Sequence, residues 1–127
     1  MKLIIGGYAQ GKLAYVLTKY GADHCLIWDG KLPEKISESG KLVVINHFHN
    51  WVKDCMIKGG SPEAETDRFL ENFSDCIILC DDIGNGIVPM EAFEREYRER
   101  TGRIVVELAK KAEEVVRVIC GIGQKIK

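Results

Sequence analysis

The densest chemistry in the 127-residue sequence follows its first apolar run, where Lys2-Leu3-Ile4-Ile5 gives way to Gly6-Gly7-Tyr8-Ala9-Gln10-Gly11-Lys12-Leu13. The run has the G-x-x-x-x-G-K spacing. Glycines in such a turn let backbone N–H groups approach phosphate oxygens, the following helix adds positive potential at its N-terminus, and the Lys12 ammonium reaches the β- and γ-phosphates. Leu13 stands where a metal-binding loop of this kind carries a Ser or Thr hydroxyl, and leucine offers Mg²⁺ nothing. A second apolar run, Lys41 to Ile45, ends in Asn46, where a carboxylate ordinarily holds Mg²⁺ through water. Asp81 and Asp82 follow a third run; they read either as turn residues before a glycine-rich loop or as the carboxylates that take over the metal or acceptor role. His47 and His49 share one side if the strand through Asn46 continues, a spacing that suits a phosphate or a metal, but no third ligand accompanies them. They read either as cleft-facing histidines or as plain surface residues.

For these groups to act together, strands must deliver them to one edge of a sheet. Lys2 to Ile5 reads as a buried strand. A helix begins at Lys12, with Leu13, Val16, Leu17 and Tyr20 on one face and Gly21 as its stop. Cys25 to Trp28 reads as a second strand ended by Asp29-Gly30, Leu32 to Ser39 as a short helix with Pro33 in its first turn, and Lys41 to Asn46 as a third strand. Phe48 to Met56 and Pro62 to Asn72 read as helices, the latter capped by Ser61. Asp75 to Cys80 is the fourth strand, with Asp81 to Gly86 as its exit loop. After Pro89 a long helix runs toward Glu114 with Phe93, Tyr97, Thr101, Ile104, Val105, Leu108 and Ala112 facing inward. Val115 to Cys120 reads as the last strand and Gly121 to Lys127 as a tail. The alternation predicts an open, mainly parallel α/β sheet with flanking helices, in a single domain.

Composition narrows the partners. With 18 Lys plus Arg against 19 Asp plus Glu, the net charge of −1 gives no general reason to bind nucleic acid or an anionic membrane. No apolar run approaches the ~18 residues of a membrane span and no secretory signal pattern opens the chain, so a cytoplasmic location is expected. The five cysteines read as reduced, mostly buried thiols. Cys76 and Cys80, an even spacing on a strand, read as core residues.

Asp82-Ile83-Gly84-Asn85-Gly86-Ile87-Val88-Pro89 is more specific. Together with the opening glycine loop, it resembles the bifunctional adenosylcobinamide kinase/adenosylcobinamide-phosphate guanylyltransferase family of cobalamin biosynthesis. That family typically reads G-G-x-x-S-G-K-S early and E-V-G-x-G-I-V-P late, followed by an Arg-rich helix and a final G-x-P-x-x-x-K. Arg95 to Arg103, with Thr101-Gly102-Arg103, and Gly121 to Lys127 are the corresponding later stretches. The resemblance implies an α/β, P-loop-type three-layer fold with a mainly parallel sheet flanked by helices, a single P-loop NTPase-like domain over residues 1–127, GTP or ATP as ligand, a corrinoid substrate of the cobinamide type and a symmetric homo-oligomer. It makes Lys12 and Asp82 the candidate catalytic residues. Gly6, Gly7, Tyr8, Ala9, Gln10, Gly11, Lys12, Leu13, Asn46 and His47 are the candidate nucleotide contacts, and no residue is assigned to a metal. The histidine that becomes guanylylated in the family lies in a segment resembling H-R-x-x-R-P, whereas the short stretch between Trp28 and Lys41 holds neither His nor Arg. Two readings follow. One is a divergent kinase-like nucleotide-binding protein without the guanylyltransferase histidine segment. The other is a degenerate relative that binds nucleotide, corrinoid or a partner protein without transferring anything.

Overall fold

The computed structural model describes residues 1–35, 40–84 and 91–127. Its elements run β1 (Lys2–Gly6), α1 (Lys12–Tyr20), a 3-10 turn (Ala22–His24), β2 (Cys25–Asp29), β3 (Leu42–Asn46), α2 (Phe48–Ile57), α3 (Pro62–Asn72), β4 (Cys76–Asp81), α4 (Ala92–Lys111), β5 (Glu114–Ile119) and β6 (Ile122–Lys125). The strands form one sheet in the order β2-β3-β4-β1-β5-β6. The first five are parallel, and β6 returns antiparallel to β5.

Two-residue alternation divides each strand between two cores. Leu3, Val43, Ile45, Cys76, Ile78, Cys80 and Val115 face one side, where Phe48 and Val52 of α2, Phe69 of α3 and Tyr97, Ile104 and Leu108 of α4 close over them. Ile4, Val44, Ile77, Leu79, Val116 and Val118 face the other side and meet Val16 of α1, with Leu13 and Leu17 beside it. The near-continuous apolar strands read from the sequence are therefore continuous because both faces are covered. The result is the expected three-layer α/β architecture.

Helix boundaries follow local chemistry. The Ser61 hydroxyl accepts the Ala64 amide at 3.4 Å and Pro62 occupies the first turn, which fixes the start of α3. Arg100 clamps α4 to α3 by donating from Nε and Nη2 to the two oxygens of Glu63 at 2.9 and 2.8 Å; that fork holds the Glu63 carboxyl down at about 2. On α4 the expected stripe is buried at Tyr97, Thr101, Ile104 and Leu108 and half-buried at Phe93 and Val105, and Ala112 beyond its end is also buried.

Two expectations change. Gly121 to Lys127 is not a bare tail: Ile122–Lys125 pairs with β5 as a sixth strand, and Val116 opposes Lys125. A two-residue turn makes this possible, because Cys120 and Gly121 both take positive φ, 51° and 77°, the geometry that matches the twist of a tight hairpin. Residues 32–35 do not form the helix expected from Leu32 to Ser39, and its remaining residues, like Asn85 to Pro89 of the late motif, lie outside the described residues. Four of the five cysteines are buried, in line with the expectation of mostly buried thiols, and Cys120 is exposed on the hairpin turn. Burial pushes the Cys76 and Cys80 thiols up to about 12, in keeping with unreactive core residues.

The central sheet dominates stability. Ile78→Ala, at a side chain with no exposed surface on β4, is expected to cost about 2–5 kcal/mol in urea unfolding. Ile27→Ala, at a 41% exposed position on edge strand β2, is expected to cost less than about 1 kcal/mol.

Candidate phosphate-binding site

Parallel strands bring their C-terminal ends to one edge, and the register decides which residues meet there. Gly6 lies opposite Asp81 across the β1–β4 pairing, and Asp29 lies opposite Asn46 across β2–β3. Between these ends a cleft of about 320 Å³ is lined by Tyr8 through Ala14, Asn46, His47 and Asp81. Ligands of open α/β sheets bind at this edge.

The glycine loop crosses the top of β1. Ala9 adopts φ 55° and Gly11 a left-handed conformation with φ 87° and ψ 25°. Alternating right- and left-handed residues turn successive amides toward one concavity, an arrangement suited to anions. Tyr8 and Ala9 form a hydrogen-bonded turn, and α1 begins at Lys12 with no side-chain cap, so the amides of its first turn have no capping acceptor. Free donors at a helix start are a ready phosphate contact.

Lys12 is buried and fully engaged. Its Nζ donates to the carbonyl oxygens of Gly6 at 3.2 Å and Gly7 at 2.8 Å and pairs with Asp81 Oδ1 at 2.6 Å. Asp81 is therefore the carboxylate placed on the loop lysine. Its backbone amide donates to Nδ1 of buried His49 at 3.2 Å, and its Oδ2 lies 3.4 Å from His49 Nε2. The amide bond makes Nδ1 an acceptor and assigns the ring proton to Nε2, facing the carboxylate. Burial lowers the His49 pKa; Asp81 opposes that shift, and the positive potential of His47 and Lys12 reinforces it.

Asp82 sits differently. Its amide donates to Gly6 O at 2.9 Å, and it borders a second cavity of about 180 Å³ with Ile5, Asp81, Thr101, Gly102 and Val105. The Thr101 hydroxyl is buried without a hydrogen-bond partner among the described residues, and Asp81 forms a wall common to both cavities.

His47 and His49 do not continue a strand. β3 ends at Asn46, His47 takes a left-handed conformation as the N-cap of α2, and His49 lies in the first turn of that helix. Helix entry turns the two rings nearly perpendicular, with centroids 5.7 Å apart. His47 Nδ1 reaches Asp29 Oδ1, to which Asn46 Nδ2 also donates at 3.2 Å. Asp29 was not singled out in the sequence; its position at a strand end, one residue before a glycine, was the available signal.

This donor set does not form a resident Mg²⁺ site. Leu13 contributes no oxygen, Asn46 presents a neutral amide turned toward Asp29, and both oxygens of Asp81 face nitrogen partners. Among the described residues, no group of three or more His, Cys, Asp or Glu is placed to hold a metal ion. None of the described helices is long and apolar enough to cross a membrane.

The sheet order and the glycine loop before α1 define a P-loop-type α/β protein. Residues 27–126 match the family described as cobinamide kinase / cobinamide phosphate guanyltransferase, CobU, and the chain belongs to that family. A 51-residue stretch is 41% identical to the bifunctional adenosylcobalamin biosynthesis protein CobU of Escherichia coli (strain K12), covering 40% of this chain and 28% of that protein. The Salmonella typhimurium protein of the same description matches with the same identity and coverage. The aligned stretch thus spans less than a third of either relative, and the family match begins beyond the glycine loop.

The His49 environment predicts a pH response. As pH falls through the ordinary histidine value of 6.5, the unfolded chain takes up a proton that the buried ring resists, so stability falls until the lower folded pKa is reached. Urea unfolding from pH 7.5 to 5 is expected to show a steeper loss for the wild type than for His49→Gln, with parallel curves above that window.

Proposed function

We propose that this chain is a nucleotide-binding protein of the cobinamide kinase/guanyltransferase type in cobalamin biosynthesis. Residues 1–127 would form one P-loop NTPase-like domain, with the triphosphate of GTP or ATP held on Gly6 to Leu13. The observation that carries this reading is the buried Lys12 ammonium at the sheet edge, beneath a glycine loop that leads into the uncapped start of α1. On binding, Lys12 exchanges its loop carbonyls and Asp81 for phosphate oxygens, and the amides from Tyr8 to Gly11 take the remaining oxygens. Asn46 and His47 line the far side of the same cleft. If a phosphoryl group is transferred, the cavity beside Asp82 is the place for a corrinoid acceptor's hydroxyl, with Asp82 as the carboxylate that orients it.

A second reading rests on Leu13 and Asn46. Both positions withhold the oxygen ligands that phosphoryl transfer uses to hold Mg²⁺, which favours a family member that binds nucleotide, corrinoid or a partner protein without turnover. Thermal denaturation with GTP or ATP, each with and without Mg²⁺, separates the readings. Nucleotide at a hundredfold its Kd is expected to stabilise the wild type by about 2.7 kcal/mol, and Lys12→Ala is expected to abolish the shift. No shift with either nucleotide would refute the phosphate-loop assignment.

The metal question has its own variant. Leu13→Ser combined with Asn46→Asp restores two oxygen ligands, and the nucleotide shift of this double variant is expected to depend on Mg²⁺ more strongly than that of the wild type. An unchanged Mg²⁺ dependence would show that the metal ligands do not limit this site.

A further inference from the structure

The glycine loop is fastened through Gln10 to a point outside its own strand and helix. Gln10 Oε1 accepts the Cys120 amide at 2.8 Å, and Gln10 O accepts the Gly121 amide at 2.8 Å. Both donors belong to the tight turn between β5 and β6, so one loop residue is held by two consecutive amides more than a hundred positions away in sequence. The approach is backbone to backbone: a Cβ at Gly11 would lie 3.2 Å from Gly121 Cα. The hairpin also rests on α1, since a Cβ at Gly123 would lie 2.4 Å from the Tyr15 ring.

The loop has reason to need such a fastening. Residues that carry a Cβ disfavour the left-handed region, yet Ala9 sits there at φ 55°, directly before Gln10. A residue remains in a sparsely populated conformation only where its surroundings over-determine it. From these contacts we propose that Gln10 is a positioning residue: through it, the β5–β6 turn holds the phosphate loop in the shape that presents its amides to a nucleotide. This inference rests on the nucleotide reading above. It gives the C-terminal hairpin a role in the site although the hairpin does not line the cleft.

The test combines amide hydrogen exchange of the free protein, followed by NMR at Cys120 and Gly121, with calorimetric binding of GTP and ATP. Gln10→Ala is expected to speed exchange at Cys120 at least about tenfold by removing its acceptor. It should raise the Kd of whichever nucleotide binds by about tenfold, while the nucleotide-free Tm moves by no more than about 2 °C. Gln10→Glu, whose carboxylate can accept the same amide, is expected to restore protection at Cys120. Unchanged exchange in Gln10→Ala overturns the proposal, as does a lowered Tm with an unchanged Kd, the behaviour of a brace that does not shape the site. If the wild type binds neither nucleotide, the nucleotide reading falls and with it the role of Gln10 in presenting the loop, even where exchange shows the fastening itself to be real.

Discussion

A buried ammonium has to be neutralised, and the site is organised around how Lys12 meets that requirement. An unpaired charge in the interior is expensive enough to unfold a small domain. Two loop carbonyls and one carboxylate surround Nζ. The carboxylate is available only because β4 lies directly beside β1, in the register that sets Asp81 against Gly6. With β4 in that position, α2 packs across it and carries His49 onto the other side of Asp81. Strand order, register and helix placement thus meet at a single ion pair.

The same arrangement separates two neighbouring acids that look interchangeable in sequence. Asp81 ends β4 and points to the lysine, while Asp82 has left the strand, gives its amide to Gly6 and borders the cavity under α4. One residue of chain carries the second carboxylate to a different cavity. Asp81 lines both cavities, so the two are neighbours across one carboxylate.

The sequence showed whatever was local and periodic. Apolar runs marked five strands, the spacing of Leu13, Val16, Leu17 and Tyr20 marked α1, and Ser61-Pro62 marked the start of α3, because each is set by residues within a few positions of one another. The sixth strand was hidden for a physical reason: Ile122–Lys125 is exposed throughout and has no face to bury, so no hydrophobic alternation records it. Its turn uses Cys120 in a left-handed conformation instead of the usual Asn or Asp. Within the site, the glycine loop and Lys12 were legible as a motif. The choice of Asp81 over Asp82, the Asp29–His47 contact and the fastening of Gln10 depend on register between distant strands, which spacing along the chain does not encode.

The electrostatic balance of the free site also bears on what can bind there. A triphosphate that draws Lys12 away from Asp81 leaves that carboxylate beside a second, larger negative charge, in a setting where screening by water is poor. His49 Nε2 is the group in place to share the load, but burial keeps the ring neutral near pH 7. A bare triphosphate therefore meets repulsion from Asp81 even as it gains Lys12 and the loop amides. On the proposed nucleotide reading, the ion pair that neutralises Lys12 in the free protein is therefore also the contact that a triphosphate has to open, and the gain from Lys12 and the loop has to exceed the repulsion left at Asp81.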